Sequence, residues 1–310
     1  MNKFDLQIQS TASDGRHAPA EILKMAKAAG LSTIALTDHD TVAGLDRAFA
    51  AGLEQGIRVI PGMELSVEER GVHILGFGID RTSPQLLTRL EEFGQSRLEG
   101  ARQMVENLRR AGFAVEWSDV QRQATGAVVA RPHIARAILG RAENKQKLGG
   151  VASVHDFIEA FLSNENPNYV HRAHISAADG ISLIHQAGAV AVWSHPAIHF
   201  RDSYEGLEKF LKQLIEWGVE GIEIFSPSHT EDDVEFLNGL SAKYKLLRTG
   251  GSDFHEKGEH PADERGLHAA RLPGDFQTHG FPTEDIITRL DQAMEKRHSY
   301  VSVREQSGRG

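Results

Sequence analysis

No cysteine occurs among the 310 residues. That excludes disulfides and thiolate ligands, so any bound metal has to be held by His, Asp, Glu, an amide or water. No apolar stretch approaches the roughly 20 residues that a membrane span needs, and no signal-peptide pattern opens the chain; a cytoplasmic enzyme with no membrane partner is the expectation. No glycine-rich turn follows a strand in phosphate-loop spacing. No Gly-x-Ser-x-Gly elbow offers a serine nucleophile. Positive charge is also short: 34 Lys and Arg face 43 Asp and Glu, a net charge of -9. This argues against broad capture of duplex DNA or an anionic membrane, yet leaves room for a local basic pocket. What remains, 40% hydrophobic and 25% charged, is the composition of an ordinary globular enzyme, long enough for one large α/β domain or two smaller ones.

Short apolar runs alternate with helical patterns, which predicts βα units. Residues 5–9 read as a strand with Asp5, Gln7 and Gln9 on one face and Leu6 and Ile8 on the other. A helix opens at Pro19 and stops at Gly30. Strand 31–36 ends at Asp38-His39-Asp40, and a helix follows over 42–53. Residues 58–60 lead to Glu64, with strands 63–67 and 72–77 turning at Arg70-Gly71. From Ser83 to Ala111 the period becomes helical, with Leu86, Leu87, Leu90, Phe93, Leu98, Ala101, Met104, Val105 and Leu108 as its apolar stripe. Helical segments near 131–139 and 153–162 continue it, so 84–175 reads as an inserted helical region. The βα rhythm resumes with a helix near 177–187, strand 189–193 ending at His195, a helix near 204–217 and strand 221–225 ending at Ser226 and His229. A helix near 231–242 precedes strand 245–249, which ends at Asp253-Phe254-His255. Residues 1–83 and 176–303 are therefore expected to form one discontinuous domain, with 304–310 as a disordered tail.

The polar residues of interest recur at strand ends, where the loops of a βα barrel converge on one mouth. His39, Glu64, His73, His195, Asp253 and His255 are each weak candidates alone. Together they suggest a dispersed metal site, since imidazole suits manganese, iron or zinc and carboxylates balance the charge.

Through Asp5–Gly15, Leu36–Asp40, Pro61–Ser66, His73–Gly78, Ala191–Pro196 and Gly250–His255 the chain resembles the PHP (polymerase and histidinol phosphatase) family of metal-dependent phosphoesterases. It is most similar to the bacterial subgroup that includes nucleoside 3′,5′-bisphosphate phosphatases and the 5′→3′ exoribonuclease RNase AM, whose helical insertion and Arg-Pro-His stretch match 84–175 and Arg131-Pro132-His133. The resemblance implies a distorted (β/α)7 barrel with two or three divalent ions, manganese first, with magnesium, zinc or iron as alternatives. By matching motif, positions 7 and 9 with Glu64 and Asp253 would hold one ion. Glu64 would bridge to a second held by His73 and His195, and Asp14, His39 and His255 would take a third. A hydroxide bridging two ions would attack phosphorus. The chain departs from this pattern at its first corner, where Gln7 and Gln9 replace the family's His-x-His. An amide oxygen ligates calcium or magnesium but is a poor substitute for imidazole, so that corner is expected to bind weakly or not at all.

For substrate phosphate, Arg131 is the first candidate, because a guanidinium can grip phosphate with two hydrogen bonds. His133, Ser228 and His229 are further candidates for phosphate contact, and His133 and His229 for protonating the leaving group. His171, Arg172 and His174 form a small basic patch, read as a solvated loop or a second phosphate contact. Asp40 is expected to orient His39. His17, His155, His185, His199, His260, His268, His279 and His298 read as surface or core. The expected activity is hydrolysis of phosphate esters on small nucleotides or at the 5′ ends of short RNA. The rivals are a phosphatase for another small phosphomonoester such as histidinol phosphate, and a catalytically weakened nucleotide-binding protein. The oligomeric state is left open.

Overall fold

The computed structural model describes residues 3–124, 129–170, 175–201, 203–258 and 270–307. Seven strands, β1 (Phe4–Asp5), β2 (Thr33–Leu36), β3 (Arg58–Ser66), β4 (His73–Phe77), β5 (Val190–Trp193), β6 (Gly221–Phe225) and β7 (Leu247–Gly250), lie side by side in chain order. Pairing is parallel except where β4 runs antiparallel to both β3 and β5. The outer strands approach each other. Leu6 N donates to Gly250 O at 3.1 Å, and Ile8 bridges Phe254 in parallel, so the sheet nearly closes into a barrel. The expected distorted (β/α)7 barrel is the observed fold, and the reversed β4 is its distortion.

Helices α1 (Pro19–Ala28), α2 (Leu45–Gln55), α8 (Ala177–Gln186), α9 (Tyr204–Glu216), α10 (Glu231–Tyr244) and α11 (Ile286–Ser307) accompany the strands. Their starts are written in short polar side chains. Ser176, Ser203 and Thr230 each accept a hydrogen bond from a first-turn backbone N–H, satisfying donors that a helix leaves open. Trp193, Phe77 and Phe225 are fully buried in the main core, while Leu36, Ile22 and Leu23 form a second cluster with α1 and α2. Between β4 and α8 lie α3 (Pro84–Arg110), α4 (Trp117–Gln123), α5 (Arg131–Leu139), α6 (Lys145–Leu148) and α7 (Val154–Phe161). These share their own apolar cluster, in which Phe113, Phe157 and Phe161 meet at ring separations of 4.9–5.7 Å.

Three sequence expectations change. Residues 58–60 and 63–67 belong to one strand, because β3 changes partner without breaking: Pro61 pairs with Leu36 of β2, and Gly62 onward pairs with β4. On α3 the stripe expected to include Leu87 and Leu98 leaves both exposed and buries Arg97 instead. Arg304 to Ser307, expected to fray, continue α11, and residues 308–310 lie outside the described ones.

Candidate metal centre

Asp5 ties the base of the site together. Its buried carboxylate accepts from Ser252 N and Oγ, Gly274 N and Gln7 N, fixing the segment after β7 against the segment after β1. Gly251 permits that approach, since a Cβ there would stand 2.4 Å from Gln7 N. Asp38 does similar work one turn along. It accepts from Ser10 N, Ser10 Oγ and Ser13 Oγ at 2.6–2.8 Å, so the turn carrying Asp14 is held rigidly.

Glu64, fully buried on β3, is the centre of the cluster. Its Oε1 lies 2.9 Å from His73 Nδ1 and 3.1 Å from His195 Nε2, and accepts from Ser194 Oγ at 3.1 Å. His39 Nε2 stands 3.9 Å from Oε2. Burial alone would push the carboxyl up, but the surrounding imidazoles hold it well below the usual range. His73 begins β4 rather than ending a strand. It reaches the same rim because β4 is reversed.

Among the described residues two groups each bring their ligand-type atoms within 4.8 Å: Asp14, His39 and His255, and His39, Glu64 and His73. His39 is common to both. His255 donates from Nδ1 to the Asp253 carbonyl at 2.7 Å, which turns Nε2 toward Asp14 Oδ1, 3.5 Å away. Fixing one ring nitrogen on a carbonyl to aim the other is the usual way a protein sets up an imidazole ligand. Burial opposes charge on His255, yet Asp14 and Asp253 outweigh it and lift the ring to about 10. For His195 burial is likewise outweighed, by Glu64, Asp253 and Glu223, and the ring rises to about 9. His195 also carries a backbone φ of 28°, a conformation costly for a side chain with a Cβ. Both groups offer the carboxylate-imidazole chemistry that suits a divalent transition ion.

The first corner does not. Gln7 Nε2 and Gln9 Nε2 both donate to Glu64 Oε2, at 2.9 and 2.6 Å, and Gln7 Nε2 also reaches Ser194 Oγ at 2.9 Å. Amide hydrogens thus cover the carboxylate oxygen that an ion would use, and an amide nitrogen has no lone pair to give a metal. Gln7 Oε1 and Asp253 Oδ1 are buried without a hydrogen-bond partner. No imidazole-type site forms there.

Among the substrate candidates, Arg131 donates to Leu162 O (3.2 Å) and Asn164 Oδ1 (3.0 Å) and lies over the Tyr169 ring, engaging the insertion itself. His133 is buried on α5 close enough to Asp14 for their charges to interact. It receives the Ala130 backbone N–H on Nδ1, so its ring proton sits on Nε2. Burial pulls its pKa down to about 4. His229 is the opposite tautomer. Its Nδ1 donates to Ile224 O at 2.8 Å, burial lowers its pKa to about 4, and its unpartnered Nε2 carries a lone pair. In that form the ring is neutral and offers Nε2 as an acceptor. Ser228 shares a hydrogen bond with Ser226. Asp40 does not orient His39. It accepts from Ser66 N and pairs with Arg97. His171, Arg172, His174, His260 and His268 lie outside the described residues.

His199 was read as surface or core, yet its ring centroid lies 5.8 Å from His195 and 6.4 Å from His73, with Nε2 buried and unpartnered. Its i+4 spacing from His195 was the available signal.

A model described as "PHP domain" matches residues 5–224. The chain is 33% identical to a 3′,5′-nucleoside bisphosphate phosphatase from Chromobacterium violaceum, over 84% of this chain and 89% of that one. It is 31% identical to a 5′-3′ exoribonuclease from Haemophilus influenzae, over 82% and 90%. A solved structure described as a metal-dependent phosphoesterase, from Bifidobacterium adolescentis, superposes with a TM-score of 0.77 at 26% identity, covering 94% of this chain and 96% of the other. Family match, barrel topology and the histidine-carboxylate cluster agree: the chain belongs to the PHP domain family.

Proposed function

We propose that this metal-dependent phosphoesterase hydrolyses phosphate esters of small nucleotides, nucleoside 3′,5′-bisphosphates or the 5′ ends of short RNA, with two divalent ions and manganese first among them. One ion is assigned to Asp14, His39 and His255, the other to Glu64, His73 and His195, with Asp253 at their edge and no transition ion at Gln7 and Gln9. The observation that carries the reading is the convergence of His73, His195 and His39 on the buried Glu64, with Asp14 and His255 grouped beside His39. Ions bound there acidify water and draw charge from phosphoryl oxygens. The chain's own residues do the rest. Asp38 and Asp5 hold the ligand loops in place, so little reorganisation accompanies the reaction. His229 is assigned as a neutral hydrogen-bond acceptor through Nε2. His133 Nε2–H is placed to donate a hydrogen bond to substrate oxygen. The insertion 84–175 covers the site, tied to the barrel by Arg97 and Arg136.

The relatives named above carry nucleotide and RNA activities, which supports the nucleotide over histidinol phosphate. The net charge supports a compact substrate over duplex DNA. Among the described residues no helix is long and apolar enough to cross a membrane, and a cytoplasmic location is part of the proposal. Release of inorganic phosphate from adenosine 3′,5′-bisphosphate, restored by manganese after chelation, is the expected result. A second reading is favoured by the amide hydrogens on Glu64: a weakened enzyme that chiefly binds nucleotide. Tight binding without turnover under manganese, magnesium, zinc or iron would establish that reading and overturn the first.

A further inference from the structure

We propose that His199 is a further imidazole ligand for the ion assigned to Glu64, His73 and His195, and that it biases that corner toward ions that favour nitrogen. The inference rests on the metal-dependent reading above and deepens it by naming a residue outside the motif. His199 Nε2 is buried and has no hydrogen-bond partner, a costly state for a polar atom unless something else satisfies it. What surrounds it is other imidazole. Its ring centroid lies 5.8 Å from that of His195 and 6.4 Å from that of His73, which are themselves 5.3 Å apart. With metal–nitrogen bonds of about 2.1 Å, two imidazoles on one ion stand roughly 4.5 to 6.5 Å apart, centre to centre. All three separations fall in that range. His195, which the motif names as a ligand, joins neither compact group of ligand atoms, and His199 stands in the same position.

The backbone brings the ring there. His195, at φ 28° and ψ 55°, turns the chain straight into a short 3-10 turn, Pro196–Phe200. At about three residues per turn, position 199 returns close to the side on which His195 stands. Phe200 fixes the far end of the turn, its ring 5.7 Å from Trp193 and 5.6 Å from Phe210. Arg70, itself at φ 54°, donates from Nη2 to His199 O at 3.3 Å and lies 4.6 Å over the Phe200 ring. Two strained residues from separate loops thus converge on one turn, and strain of this kind gathers where a ligand is clamped. The chemistry points the same way. Gln7 and Gln9 cover Oε2 of Glu64 with amides, while His73 and His195 converge on Oε1. An added imidazole on the Oε1 side concentrates nitrogen donors at that ion, and such a set prefers cobalt or zinc to magnesium.

The test titrates metal-free protein with cobalt, whose visible absorption reports its ligands, and needs no substrate. His199→Phe keeps a ring in the turn and removes both nitrogens. In it the cobalt bands are expected to shift, and cobalt affinity at one ion to fall at least about 100-fold, beyond the roughly 10- to 100-fold that losing a ligand's hydrogen-bond partner brings. Arg70→Gln, whose wild-type side chain is exposed and safe for folding, is expected to lower cobalt affinity in the same direction by less. His155→Gln, at an exposed position on α7, leaves spectrum and affinity as in wild type. Cobalt bands unchanged in His199→Phe would overturn the ligand, whatever the affinity. If that variant does not fold, Arg70→Gln decides, and unchanged spectrum and affinity there would overturn it equally. Phosphate release from adenosine 3′,5′-bisphosphate, measured on the same preparations, separates the two proposals. Turnover by wild type, with a spectrum indifferent to His199→Phe, would remove the ligand and leave the activity standing. A responsive spectrum without turnover would do the reverse, and wild type that binds no cobalt would overturn both.

Discussion

At the residue scale the decisive atom is Glu64 Oε2, which takes hydrogen bonds from two glutamine amides at 2.9 and 2.6 Å. Carboxylate, imidazole and amide sidedness together determine what this corner can hold. Imidazole brings a lone pair to a transition ion, whereas the amide brings hydrogens to the anion and satisfies it without metal. The double substitution Gln7→His/Gln9→His is therefore expected to raise bound manganese by about one equivalent per chain, read by elemental analysis after dialysis, and to raise turnover with it. Unchanged stoichiometry and rate would sink this account of the corner. Glu64→Gln is expected to act in the other direction. It removes the anion that His73, His195 and both glutamines converge on, and a loss of at least about 100-fold in kcat accompanies loss of metal.

At the scale of elements, the insertion is fastened to the barrel by a buried ion pair, Arg97 of α3 with Asp40 beyond β2. Removing one partner of such a pair strands a buried charge, at a cost of about 3–5 kcal/mol. Arg97→Ala is expected to lower the unfolding free energy by that order, read by denaturant titration, and Arg97→Met/Asp40→Asn to recover much of it; equal losses in single and double variants would contradict a direct pairing. Asp40 and Arg97 also mark where the sequence stops being legible. Strand ends were readable because apolar runs close on polar clusters, and the seven-strand βα rhythm follows from them. The continuity of β3 was not, since its change of partner at Pro61 and Gly62 depends on neighbours distant in sequence. Arg97 occupies a position on the apolar stripe of α3, a burial that a charge-versus-apolar reading assigns to Leu98 instead. Arg131 donates to Leu162 O and Asn164 Oδ1, whereas Arg136 on the same helix reaches the Asp14 carbonyl, a difference in facing that the motif does not spell out. The ligand set itself was legible as a list. Its grouping around His39 required coordinates.

For the whole molecule, proton and metal binding compete for the same cluster, and the sign of that competition can be worked out. His195 and His255 are held protonated in the fold, at about 9 and about 10, above their ordinary 6.5. Raised basic groups stabilise the fold fully below the ordinary value and lose that contribution as pH rises through the shifted one. Asp14 and Glu64 are depressed, so their contribution is present above the ordinary carboxylate range and lost as pH falls through their lowered values. His133 and His229, held neutral by burial, pull the other way below the ordinary 6.5, so metal-free protein is expected to be most stable near pH 6.5 and to lose the contribution of His195 and His255 toward pH 9 to 10. An imidazole that ligates must be neutral, so metal binding expels these protons and tightens as pH rises. Thermal unfolding measured from pH 5 to 9, with and without manganese, is expected to show the two curves diverging toward high pH. At pH 7, titrations in buffers of different ionisation enthalpy are expected to show up to two protons released per chain loaded. Parallel curves and no proton release would mean that His195 and His255 do not ligate, and the two-ion assignment would fall with them.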